Sequence, residues 1–77
     1  MNTAFITGPT GCIGSATCRW LLDHGIDRIV GFSRKRDLSR LDTAYHSRVE
    51  WIAGDVTDLD RLHEAVEQAQ PRQIIHL

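Results

Sequence analysis

Three glycines spaced Gly8-x-x-Gly11-x-x-Gly14 are the residues in this chain best suited to hold an anion. They follow a short apolar run, Ala4-Phe5-Ile6, and open a segment of helical periodicity. A helix start exposes backbone N–H groups without intrahelical partners and carries partial positive charge, so a phosphate fits there. Glycine lets the backbone approach the phosphate where any Cβ would hold it off. Gly8 suits the tight turn, Gly11 the close approach, and Gly14 the packing of helix on sheet; the expected donors are the N–H groups near Cys12 and Ile13. Thr10, inside the turn, is counted with them.

A second group follows the next apolar run. Ser33-Arg34-Lys35-Arg36 is a compact basic cluster in a chain of net charge -1. An acidic residue about 20 residues past the glycines bonds a ribose 2′-hydroxyl, whereas arginine accommodates a 2′-phosphate. No Asp or Glu occurs here until Asp37. Guanidinium groups bind phosphate through paired hydrogen bonds, so the pattern predicts NADP in preference to NAD. Ser33 and Arg34 are the foremost candidates, with Lys35 and Arg36 behind them.

The elements that must position these groups alternate. A strand is expected over Thr3 to Thr7, continuous and apolar as in a parallel strand covered on both faces. A helix from about Cys12 to His24 follows, with Ile13, Ala16, Thr17, Trp20 and Leu21 as its apolar stripe and Gly25 at its C-terminal end. A second strand spans Arg28 to Phe32. Leu38, Leu41 and Tyr45 suggest a short irregular helix within residues 37–47. Val49 to Ala53 reads as a third strand. Thr57 or Asp58 can cap a helix from about Leu59 to Gln70, with Leu59, Leu62, Val66 and Ala69 on its apolar side and Pro71 stopping it. A fourth strand starts at Gln73. This alternation predicts an α/β fold, a doubly wound parallel sheet of about four strands in order 3-2-1-4 with two to three helices, amounting to part of a Rossmann domain.

Thr7-Gly8-x-x-Gly11-x-x-Gly14 just after the first strand resembles the extended short-chain dehydrogenase/reductases, the NAD(P)-dependent epimerase/dehydratase family. The resemblance covers the whole chain, which corresponds to the N-terminal half of such a nucleotide-binding domain, residues 1–77, without the substrate domain. It implies an adenine-recognising role for Asp55 and Val56: a carboxylate accepts from the exocyclic amine and the next N–H donates to a ring nitrogen. Ile74-Ile75-His76-Leu77 is similar to the family's fourth strand, and Leu77 is placed towards the adenosine. The family's catalytic groups, a Ser or Thr and a Tyr-x-x-x-Lys pair, come later. The one tyrosine here, Tyr45, follows the one lysine, Lys35, so no catalytic residue is assigned. The resemblance leans towards nucleotide-sugar epimerases, dehydratases and reductases. A non-catalytic NADP-binding module and an inert truncated fragment remain as alternatives.

Composition narrows the classes. Apolar residues make up 42% and charged ones 25%, ordinary for a globular domain. The net charge gives no general field for nucleic acid or membrane. No apolar run nears the ~20 residues of a membrane span. The start of the chain does not read as a signal peptide, which suits a cytoplasmic protein. Cys12 and Cys18 lie about 600° apart on a helix and are expected as two small buried thiols. The four histidines show no metal-ligand spacing, so no metal is expected. Trp20 and Trp51 are read as core or sheet-edge packing, and His76 as a strand histidine.

Overall fold

The computed structural model describes residues 1–8 and 11–77. The strands are β1 (Thr3–Thr7), β2 (Arg28–Ser33), β3 (Val49–Ala53) and β4 (Gln73–His76), and the helices are α1 (Cys12–Asp23) and α2 (Leu59–Ala69). A 3-10 turn, Thr43–Arg48, precedes β3. All strand pairs are parallel and the order is β3-β2-β1-β4, as the alternation predicts. Every residue of β1 is buried, which explains its unbroken apolar character at Ala4, Phe5 and Ile6.

Each face of the sheet has its own core. On one side Ala4, Ile6 and Ile29 pack with Cys18, Leu21 and Leu22 of α1 and with Leu41. On the other, Phe5, Val30 and Phe32 pack with Ala65 and Ala69 of α2. The Phe5 and Phe32 rings lie 5.9 Å apart and tilted by 32°, a favourable aromatic geometry. Thus α1 and the segment before β3 cover one face and α2 the other.

α1 turns a different side inward from the one its apolar pattern suggests, whereas α2 keeps its expected side inward except at Leu59. α1 buries Gly14, Ser15, Cys18, Leu21 and Leu22, while Ile13 and Trp20 stand 75% and 59% exposed. Small residues at positions 14, 15 and 18 let the helix lie close to the sheet. A stripe containing Ile13 and Trp20 would hold it away. Trp20 instead stacks on His24 at 4.0 Å, on the surface rather than in the core. Cys12 is exposed, so only Cys18 is the buried thiol expected of both; burial pushes the Cys18 thiol up to about 11. In α2 the buried positions are Ala65 and Ala69, with Leu62 and Val66 packed beside them and Leu59 exposed at the first turn. The helix expected within residues 37–47 is reduced to the 3-10 turn, whose cap is Asp42: its carboxylate accepts from the Ala44 N–H at 3.1 Å.

Helix ends follow the expected chemistry. Gly25 adopts φ +107° after α1, and the Ile26 N–H reaches back to the Leu21 carbonyl at 3.0 Å, closing the helix in a left-handed turn. Asp58 caps α2 by accepting from the Arg61 N–H at 3.1 Å. Arg48 holds the end of α1 from outside, donating to the carbonyls of Leu22 at 3.0 Å and Ile26 at 2.7 Å.

One close approach is invisible to periodicity. A Cβ on Gly54, just after β3, would stand 2.4 Å from Cζ of Phe32, whose ring is fully buried. Gly54→Ala is therefore expected to destabilise the fold by about 1–3 kcal/mol through overpacking, read from urea unfolding. Trp20→Ala, by contrast, should change stability by no more than about 0.5 kcal/mol, because the side chain lies outside both cores. A large loss there would show that α1 packs on its Trp20 side.

Candidate functional site

The sheet ends in a level edge. Thr7 pairs with Phe32 on one side and His76 on the other, and Ser33 pairs with Ala53. Backbone bonds continue the ladder past the strands: Gly8 N–H to the Phe32 carbonyl at 3.2 Å, Gly54 N–H to Ser33 at 3.0 Å, and Leu77 N–H to Thr7 at 3.3 Å. The carboxyl ends of all the strands thus lie side by side. In an open parallel sheet this is where a ligand crevice forms, at the point where the strand order reverses.

Gly8 makes the turn out of β1 with φ +68°, a conformation L side chains rarely adopt. A Cβ there would also meet the Leu77 carbonyl oxygen at 3.3 Å. At Gly11 the situation is reversed. Among the described residues nothing lies within 4 Å of the place a Cβ would occupy. Gly11 is also the N-cap and offers no side-chain acceptor to the helix's first N–H groups. No acidic residue occupies that first turn. These features fit a phosphate: the helix start carries no side-chain cap and no acidic residue, and among the described residues the Cβ position of Gly11 is clear. Ser15 secures the turn from beneath, its hydroxyl donating to the Gly11 carbonyl at 2.8 Å.

Two hollows meet here. One, of about 410 Å³, is lined by Gly8, Gly11, Cys12, Ile13, Gly14 and Leu77. The exposed Ile13 therefore belongs to the wall of the crevice rather than to the core. The other, of about 200 Å³, gathers Gly8, Ser33, Arg34, Asp55, Val56 and Leu77 along the strand ends. Gly8 and Leu77 are common to both. Lys35 and Arg36 line neither hollow and point to solvent. Thr10 lies outside the described residues. The second hollow also includes Gly54, whose part the sequence pattern does not reveal. His76 lies there too, its Nδ1 bonded to the Thr7 hydroxyl, so it is tied into the strand edge.

The polar groups of the second hollow are partly committed. The Ser33 hydroxyl donates to the Lys35 carbonyl at 2.9 Å and shapes the loop. Asp55 Oδ1 accepts from the Thr57 N–H at 2.9 Å and the Thr57 hydroxyl at 2.8 Å. Its Oδ2 faces Arg34 at 3.9 Å. The Thr57 backbone and side-chain bonds, aided by the Arg34 charge, hold the Asp55 carboxyl below the usual carboxylate range. Asp55 thus helps lead the chain into α2 and still presents one oxygen to the crevice.

Tyr45 takes no part in this site. Its hydroxyl donates to Asp23 at 2.9 Å, and that bond raises its pKa, the reverse of the activation a proton-transferring tyrosine needs. Among the described residues, no group of three or more His, Cys, Asp or Glu side chains is placed to hold a metal ion, and no helix is long and apolar enough to cross a membrane.

A parallel sheet in this order, with helices on both faces, defines a Rossmann-like α/β fold. The chain belongs to the NAD dependent epimerase/dehydratase family, whose profile matches residues 4–77. Among curated relatives it is 35% identical to the polyketide synthase GfsA of Streptomyces halstedii, over 97% of this chain and 1% of that protein. It is 31% identical to UDP-glucose 4-epimerase of Rhizobium meliloti, over 97% of this chain and 22% of the relative. A crystal structure of the Bordetella bronchiseptica enzyme WbmH in complex with NAD+ superposes on it with TM-score 0.79 and 26% identity, covering 100% of this chain and 26% of that one. The chain therefore spans about a quarter or less of the length of these relatives.

The Asp55 contacts make a pH prediction. A depressed carboxyl pKa stabilises the folded loop above the unfolded value, and that contribution fades as pH falls through the folded value. Thr57→Val removes the hydroxyl donor but keeps the backbone one. The Asp55 carboxyl should then titrate at higher pH, towards its ordinary value, in an NMR titration of side-chain carboxyl carbons. An unmoved Asp55 titration would show that the hydroxyl contributes nothing.

Proposed function

We propose that these residues are the adenosine-side half of an NADP-binding domain in an enzyme acting on nucleotide-sugars as an epimerase, dehydratase or reductase. The observation that carries this reading is the meeting of two hollows at Gly8 and Leu77, which brings the glycine turn, Ser33, Arg34, Asp55 and Val56 to one edge of the sheet. The pyrophosphate would lie on Gly8, Thr10, Gly11, Cys12, Ile13 and Gly14. Ser33 and Arg34 would receive the ribose and its 2′-phosphate, with Lys35 and Arg36 adding to the local positive field. Asp55, Val56 and Leu77 would border the adenine.

The NAD+ bound in WbmH and the name of the Rhizobium epimerase support a nicotinamide dinucleotide and a UDP-sugar-like substrate class. The preference for NADP rests on this chain's own side chains, since the end of β2 offers guanidinium where NAD would want a carboxylate. When bound, the cofactor supplies hydride exchange at its nicotinamide. These residues would hold its other end; they include no Tyr-x-x-x-Lys pair to move a proton. The identity to the polyketide synthase supports a second reading, in which the same half-domain serves a reducing step within a large synthase. A Tyr-x-x-x-Lys motif in the continuing sequence would place the chain in a catalytic unit in either case.

Isothermal titration of the chain with NADP+ and NAD+ tests the reading. Arg34→Asp should weaken NADP+ by about tenfold or more while changing NAD+ much less, the scale of a lost charge-assisted pair. Equal losses would remove the 2′-phosphate role. Gly11→Val should abolish binding of both by filling the cradle, and undiminished affinity would mean that the dinucleotide binds elsewhere.

A further inference from the structure

We infer that His76 is a positioning residue for the dinucleotide: through the Thr7 hydroxyl it clamps the end of β4 to the end of β1, and so fixes Leu77 against Gly8 where the two hollows meet; this deepens the reading above and rests on it. Gly8 is secured on its β2 side by the bond from its N–H to the Phe32 carbonyl at 3.2 Å. On its other side stands β4, an edge strand of four residues. Little apolar burial anchors that strand, since Ile74 and Leu77 are 60% and 45% exposed. Its last backbone rung, from the Leu77 N–H to the Thr7 carbonyl, is 3.3 Å long, beyond the usual ~2.9–3.0 Å. A strand end held by so little frays. Yet the Leu77 carbonyl oxygen lies only 3.3 Å from the place a Cβ on Gly8 would occupy, so the shape of the junction depends on this end of β4 staying in place.

A side-chain bond between residues 69 apart in sequence closes it. Thr7 and His76 are register partners, and Thr7 Oγ1 meets His76 Nδ1. Thr7 is 4% exposed, and among the described residues its hydroxyl has no other partner. That burial decides the direction of the bond. If Nδ1 carried the proton and Oγ1 accepted it, the hydroxyl hydrogen would be buried without an acceptor, a costly arrangement. The hydroxyl therefore donates to a bare Nδ1, and the ring carries its single proton on Nε2. The bond needs a hydroxyl at residue 7 and an acceptor at the δ position of residue 76. His76 lines the hollow of Ser33, Arg34, Asp55 and Val56, but it acts without touching the ligand. Its effect falls on main chain at Gly8 and Leu77, which any dinucleotide in this crevice would meet, so it serves NADP and NAD alike.

The test is isothermal titration of the unmodified chain, Thr7→Val, Thr7→Ser, His76→Phe, His76→Asn and the Thr7→Val/His76→Phe double variant with NADP+ and with NAD+. Circular dichroism and thermal unfolding establish that each is folded; if Thr7→Val were not, His76→Phe against His76→Asn would carry the same comparison. Thr7→Val and His76→Phe should each weaken both cofactors by about fivefold to tenfold, the scale of one neutral hydrogen bond. The double variant should lose no more than either single one, because both remove the same bond. Thr7→Ser keeps the hydroxyl and His76→Asn an acceptor, and each should recover all but about twofold. Nitrogen-15 NMR of the unmodified chain should show His76 Nδ1 without a proton and hydrogen-bonded, and Thr7→Val should abolish that hydrogen-bond signature. Unaltered affinity in Thr7→Val and His76→Phe, losses that add in the double variant, no recovery in Thr7→Ser or His76→Asn, a loss confined to one cofactor, or a proton on Nδ1 would each overturn the assignment alone. If the unmodified chain bound neither dinucleotide, the proposed function would fall and the assignment with it.

Discussion

Everything at the strand ends depends on the complete burial of β1. With neighbours on both sides and a helix on each face, this strand has no freedom to slide or tilt. A one-residue slip would exchange Phe5 for Ala4 and Ile6 between two cores of different shape. The fixed strand delivers Gly8 to one place. Gly8 itself takes φ +68°, and among the described residues nothing crowds the Cβ position of Gly11 at the start of α1. The backbone at the start of α1 is thus positioned by the same packing that stabilises the fold, which is how a short chain can hold backbone donors in place.

The two halves of the crevice differ in character. Over α1 it is made of main chain and of small or apolar side chains, which can discriminate only by shape and by the sign of charge. Along β2 and β3 it carries side chains of definite chemistry, Ser33, Arg34 and Asp55, on exposed loops. Those loops are tied internally, Ser33 to the Lys35 carbonyl and Asp55 to Thr57, so the groups are oriented without being buried. Exposure keeps the Arg34–Asp55 attraction weak, and a ligand can compete with it.

Much of this arrangement is legible in the order of residues. Parallel strands covered on both faces are unbroken apolar runs, so β1 and β2 stand out. The glycine spacing marks the turn because few other functions need bare backbone at a helix start. The buried face of α1 is not legible from hydrophobicity. Its contact side is built of Gly14, Ser15 and Cys18, chosen for size, while the larger Ile13 and Trp20 lie outside. Leu59 misleads in the same way, standing exposed in the first turn of α2. Gly54 and Arg40 make contacts distant in sequence, with the Phe32 ring and the Cys12 sulfur, and no local pattern encodes them.

The unequal surroundings of the two thiols have a practical corollary. Cys18 is sealed beneath α1 and held protonated, whereas Cys12 is open to solvent at the lip of the crevice. A maleimide dye applied to the folded chain would attach at one position without any mutagenesis, and its emission would report directly on whatever enters beside the first turn of the helix.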